Sequence, residues 1–150
     1  MIPSFLLARP EHRSVLAEMM EEFYQFHHLV FSKQVNVALN NLLAHPEFGI
    51  AWIVYLQELP IGYGVVTFSF SLELGGEIAG VDELYIRSFY QGKGIGLAAL
   101  QFMEAFCRSQ GKQTLILEAI GAIDFYHKQG FHDRSSVLMF KHLGKIAQNN

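Results

Sequence analysis

A single cysteine, Cys107, stands in a chain of 150 residues. An internal disulfide is therefore excluded, and a lone thiol among apolar neighbours at helical spacing is expected to be buried and inert. Charge is also sparse: Asp, Glu, Lys and Arg make up 17% of the residues and leave a net charge of -3. A mildly acidic chain lacks the basic surface on which nucleic-acid affinity depends, so no nucleic-acid partner is expected and any phosphate binding must be local. No apolar run reaches the length of a membrane span, so no membrane partner is expected either. The opening Met1 to Phe5 lacks the basic-then-apolar layout of a secretory signal, and a soluble, cytoplasmic protein is the expectation. Repeats, low-complexity tracts and linkers are absent. What remains is one domain spanning 1–150, with 144–150 read as a frayed tail.

Apolar residues supply 51% of the chain and aromatics 13%, enough for a substantial core. Phe5 to Ala8 reads as a short strand. Pro10 suits a first helical turn, and Val15, Leu16, Met19, Met20 and Phe23 follow on one helical face. Val35, Leu39, Leu42 and Leu43 predict a second helix that stops near Pro46. Three β-rich runs come next, Ile50 to Leu56, Ile61 to Leu72 and Ile78 to Arg87, with Leu74-Gly75-Gly76-Glu77 as a hairpin turn. Ile95, Ala98, Ala99, Phe102, Met103 and Phe106 form a helical stripe closed by Gly111. Thr114 to Leu117 is an apolar strand of the kind found in a sheet covered on both faces. Ala122 to Gln129 predicts a short helix, and Val137 to Phe140 a last strand. The order is β-α-α-β-β-β-α-β-α-β. The fold class is α/β (α+β), a mixed and mostly antiparallel sheet flanked by helices.

The stretch from Asp82 to Gly96 is a strand, a glycine-punctuated loop and a helix start. Gly92, Gly94 and Gly96 permit positive φ and close backbone approach. The helix that follows offers unpaired N–H groups and the positive end of its dipole, which together suit a pyrophosphate. Lys93 and Arg87 can add charge. The spacing fits neither a P-loop nor a dinucleotide fingerprint, because Ile95 follows Gly94 directly and alone separates it from Gly96. Glycines by themselves suit a plain strand–turn–helix connection equally well.

The residues around the glycines are more specific. Gln91-Gly92-Lys93-Gly94-Ile95-Gly96 resembles the Gln/Arg-x-x-Gly-x-Gly/Ala signature of the GNAT superfamily of N-acetyltransferases. Phe125-Tyr126-His127-Lys128-Gln129-Gly130-Phe131 is similar to the second signature of that family, a tyrosine a few residues before Gly-Phe. The element order matches from Phe5 to about Phe140.

The resemblance implies acetyl-CoA as cosubstrate, bound where a fourth strand (78–87) and a fifth (113–118) splay apart. Backbone groups of Leu84, Tyr85 and Ile86 would meet the pantetheine arm. Amides of Gln91, Gly92, Lys93, Gly94, Ile95 and Gly96 would hold the pyrophosphate. It implies no metal, and the sequence has no His-Glu-x-x-His. It implies direct attack of an amine on the thioester, with Glu83 or Asp82 as base, Glu83 favoured, and Tyr126 as general acid to the sulfur. Tyr24 and His28 would border the acceptor pocket. Many family members carry an asparagine before the tyrosine helix, and Glu118 to Asp124 has none. The expected activity is N-acetylation of a primary amine on a small or amino-acid-like molecule. The alternatives are a peptide or protein N-acetyltransferase and a non-catalytic acyl-CoA-binding module. By analogy with the family, the C-terminal strand could support a homodimer.

Overall fold

The computed structural model describes residues 2–144, so most of the expected frayed tail, 145–150, lies outside the described residues. Five strands form one sheet in the order in which they occur along the chain: β1 (Ser4–Leu7), β2 (Gly49–Leu56), β3 (Leu59–Ser71), β4 (Gly76–Ile86) and β5 (Thr114–Leu117). The first four make an antiparallel meander. Helices α1 (Arg13–Phe26) and α2 (Lys33–Ala44) connect β1 to β2. Helix α3 (Ile95–Ser109) carries the chain across to β5, which pairs with β4 in parallel, and α4 (Ile123–Lys128) follows.

Each helix begins and ends where the local chemistry permits. Ser32 caps α2, its hydroxyl accepting from the Val35 N–H at 3.2 Å. Helix α3 ends at Gly111, whose φ of 76° lets the Lys112 N–H return to the Cys107 carbonyl at 3.0 Å.

Alternation along β2, β3 and β4 divides the sheet into two faces. Ala51, Ile53, Tyr63, Val65 and Tyr85 turn toward Leu16, Met19 and Met20 of α1 and Leu39 of α2. Trp52, Val66, Ala79 and Val81 turn toward Leu100, Met103 and Cys107 of α3. Cys107 is buried there, as its setting predicts. Gly64 lets α3 come close: a Cβ at that position would lie 2.5 Å from the Met103 sulfur. Leu100 is sealed in this layer, and truncating it to alanine would cost about 2–5 kcal/mol.

One expected element is not formed. Val137 to Phe140 has no strand partner, and its side chains are 73–86% exposed. A continuous apolar run specifies burial but no register. Arg134, just before it, is instead drawn to Glu73 in the β3–β4 turn. The last β of the expected order is therefore replaced by extended chain.

Candidate active site

The site begins with a mismatch of register. Val66 pairs with Val81 and Val65 with Glu83, so Asp82 has no partner on β3 and forms a β-bulge. On the other side of β4, pairing with β5 runs only from Ile78–Thr114 to Val81–Leu117. The sheet thus parts at the residue that bulges. From Asp82 to Ile86, β4 keeps β3 on one side and, among the described residues, no strand on the other. Backbone polar groups facing such an opening are free for a ligand.

The bulge also decides where the carboxylates go. Simple alternation from Ala79 and Val81 would carry Glu83 and Tyr85 to the α3 face. The extra residue shifts the phase, and Tyr85 instead joins the α1 side of the core. Glu83 accepts from two tyrosine hydroxyls, Tyr24 of α1 to Oε2 at 2.5 Å and Tyr63 of β3 to Oε1 at 2.7 Å. Loss of water raises the Glu83 pKa above its ordinary value, the two tyrosine hydrogen bonds pull it back, and the Asp82 charge adds to the rise. Burial, with the Glu83 charge beside them, pushes both tyrosines well up, so they stay protonated donors. Asp82 reaches solvent, yet neighbouring protein displaces enough water to raise its pKa too.

The loop follows at the end of β4. Ser88–Tyr90 makes one 3-10 turn, and the Gln91 side chain returns to the Ile86 carbonyl at 2.7 Å. Gln91 also gives its N–H to Ser88, so the free row starts at Gly92 and not at Gln91 as expected. Gly92 and Gly94 hold φ of 74° and 80°. The helical ladder opens with the Ala98 N–H to the Gly94 carbonyl. Among the described residues, amides 92–97 have no protein acceptor. Open space surrounds the Cβ positions of both glycines. Six free amides at a helix N-terminus, with no side chain over the two glycines, fit a pyrophosphate. Lys93 folds over the Phe89 ring, 4.8 Å from its centre.

Arg87 does not supply charge to this loop. Its guanidinium is committed to Glu22 at 2.8–3.2 Å, to Glu18 at 3.0 Å and to the Pro60 carbonyl at 3.0 Å. Those partners lie on α1 and at the start of β3, which draws it to the other side of β4. Tyr85 is buried in the α1 layer, Ile86 packs with Ile95 and Ala99, and half-buried Leu84 packs against the α3 layer. These three contribute backbone to the opening while their side chains are absorbed in the core.

Tyr126 sits half-buried on α4, its ring 5.2 Å from Phe125 and 5.8 Å from Phe131. Its hydroxyl has no hydrogen-bond partner among the described residues, and burial raises its pKa, so it carries a proton. The asparagine-free segment before it turns through Gly121 and Ala122, both at positive φ. His28 is exposed at the end of α1 with φ of 57°, and the structure gives it no contact with Glu83. Tyr24, expected to touch acceptor, spends its hydroxyl on Glu83. Tyr63 and the bulge were not found from sequence. A tyrosine in an apolar strand gives no sign of its partner twenty residues on.

Closed hollows do not mark this site. One of about 500 Å³ lies beside Phe68 and Lys112, toward the opposite end of β4, and one of about 290 Å³ meets the loop only through Tyr90. Among the described residues no group of three or more His, Cys, Asp or Glu could hold a metal ion, and no helix is long and apolar enough to cross a membrane.

Known proteins share this arrangement. The family model described as the acetyltransferase (GNAT) family matches residues 11–131. An integron cassette protein from the mobile metagenome of Cole Harbour salt marsh has a similar structure, with TM-score 0.84 and 30% identity over 94% of this chain and 91% of that one. A predicted acetyltransferase from Clostridium acetobutylicum, solved with acetyl-CoA, gives TM-score 0.79 at 17% identity, over 93% of this chain and 96% of that one. A ribosomal-protein-alanine N-acetyltransferase from Brucella melitensis gives 0.73 at 15%, over 95% and 100%. At those two identities the likeness is one of fold. No curated protein matches the sequence.

Proposed function

The chain belongs to the acetyltransferase (GNAT) family, whose members transfer acetyl groups from acetyl-CoA, and on that premise we propose that it acetylates the primary amine of a small, cationic molecule. One observation carries the choice of acceptor. Glu18 and Glu22 pair with Arg87, Glu73 with Arg134, Glu77 with Lys112 and Glu104 with Arg108. Among the described residues Asp82 and Glu83 pair with no cation, although they stand side by side where the sheet opens. Two carboxylates in a partly dry notch favour a ligand that brings its own positive charge.

The chemistry divides among named groups. Free amides 92–97 bind the pyrophosphate, and β4 backbone from Leu84 to Ile86 meets the pantetheine arm. An ammonium drawn to Asp82 and Glu83 must lose a proton before it can attack, and Glu83 takes it. The nitrogen then bonds to the thioester carbon, the carbon–sulfur bond breaks, and Tyr126 gives its proton to the departing thiolate. Amide and free thiol are the products, so no oxidant or metal enters the balance. Raised pKa values at Glu83 and Asp82 support a base working closer to neutral pH than an ordinary carboxylate.

The test is thiol release from acetyl-CoA across a panel of small diamines, amino acids and peptides. Small amines with a second positive charge should turn over fastest. Equal rates with uncharged amines, or turnover of peptides alone, would remove the small cationic acceptor from the reading.

A further inference from the structure

Glu83 is gripped more fully than proton transfer alone demands. Each of its oxygens receives a phenol from a different element, Oε1 from Tyr63 on β3 and Oε2 from Tyr24 on α1. Tyr63 is sealed at 0% exposure, with its ring 6.2 Å from Phe23 and 6.1 Å from Tyr85. Tyr24 lies nearer the surface, edge-on to Phe31 at 5.6 Å. One donor is thus locked in the core, and the other sits on the last turns of a helix.

We infer that Tyr63 is a positioning residue for the base and that, together with Tyr24, it sets the pH at which the enzyme becomes active. The inference rests on the reading of Glu83 as base. A phenol that donates to a carboxylate stabilises its charged form, whereas removal of water stabilises the neutral form. The tyrosines therefore oppose burial and keep Glu83 able to ionise inside the protein. They also fix the plane of the carboxylate, because two donors on separate elements leave it no rotation.

Other charged groups near this point do not replace them. On β4, Asp82 works in the opposite direction, favouring the neutral Glu83. Tyr85 gives its hydroxyl to Glu22 of α1 at 3.3 Å, and Glu22 is itself neutralised by Arg87. From β3 the titratable group is Tyr63 itself, and from α1 Tyr24. With either hydroxyl gone, no nearby cation stabilises the carboxylate.

The deciding experiment compares the pH profiles of kcat/KM for the wild type, Tyr63→Phe, Tyr24→Phe and Glu83→Gln, with coenzyme A affinity measured in parallel. Removal of one phenol makes ionisation harder, so the acid limb should move to higher pH. On that limb kcat/KM should fall on the order of tenfold while the alkaline plateau holds. Coenzyme affinity should stay at the wild-type level. A limb that stays in place while the whole profile sinks evenly would overturn the positioning role and leave Tyr63 as packing alone. Tyr24→Phe, at a half-exposed site, gives the same readout should Tyr63→Phe fold poorly. Glu83→Gln separates the two claims. If that variant keeps the wild-type acid limb, Glu83 is not the base. If it abolishes the limb while neither tyrosine variant shifts it, the base stands and the tyrosine proposal falls.

Discussion

Gln91 reaches back across five residues to donate its side-chain amide to the carbonyl of Ile86, 2.7 Å away. The contact closes the loop onto the end of β4 and so fixes where the free amides of 92–97 point. Gln91→Ala should leave the fold intact and lower coenzyme A affinity by roughly three- to tenfold, the value of about one hydrogen bond. Calorimetric titration of the variant checks this. Unaltered affinity would mean that the loop holds its shape without the contact.

Gly94 opens α3 at φ of 80° with nothing near its Cβ position. A valine there has room but must adopt the left-handed region, at a cost of about 1–2 kcal/mol. Its side chain would also stand over the free amides. Gly94→Val should therefore lose at least roughly tenfold in coenzyme affinity while melting only a few degrees lower. Titration and thermal melting together make the test.

Glu83 holds its proton to higher pH in the folded chain than the ordinary carboxylate value of 4.5. The folded state then binds more protons than the unfolded one between the two values, so this group's contribution to stability declines as pH rises through that window. At neutral pH its ionised form is a standing cost. Glu83→Gln should raise the melting temperature at neutral pH, narrow the difference on acidification, and depress turnover. A variant that melts lower at neutral pH would contradict this.

Tyr126 has a free hydroxyl and two aromatic neighbours. Phenylalanine keeps the packing and removes the proton. Turnover of Tyr126→Phe should drop by roughly 10- to 100-fold with coenzyme affinity unchanged. Equal turnover would take Tyr126 out of the reaction.

Arg87 provides the contrasting case. With its guanidinium spent on Glu18, Glu22 and Pro60, Arg87→Met should cost about 1–3 kcal/mol of stability. Coenzyme affinity should remain within about twofold, since the arginine does not serve the loop. Denaturant unfolding and titration separate the two effects.

The strand–loop–helix around Gly94 was legible because its signals are local: glycines, a following apolar stripe and a preceding β-rich run. The covered sheet was legible in Thr114 to Leu117, and the helices in their spacing. Neither the bulge nor its consequences could be read this way. Asp82 carries no mark of an extra residue, and only the partner register reveals it. The commitment of Arg87 is set by Glu22, 65 positions earlier, and that of Tyr63 by Glu83, so both depend on tertiary approach. Val137 to Phe140 misled for the reverse reason: composition specified a strand where nothing specified a neighbour.

Because Asp82 is a supernumerary residue, β4 has one amino acid more than it has rungs opposite β3. Excising any other residue from the middle of that strand would turn everything downstream inside out, sending Tyr85 toward α3 and Ile86 toward α1. Excising Asp82 alone would restore an even count and leave every remaining side chain on its present face. Position 82 is thus where the ladder can be shortened without scrambling the core, at the expense of the kink that splits the sheet.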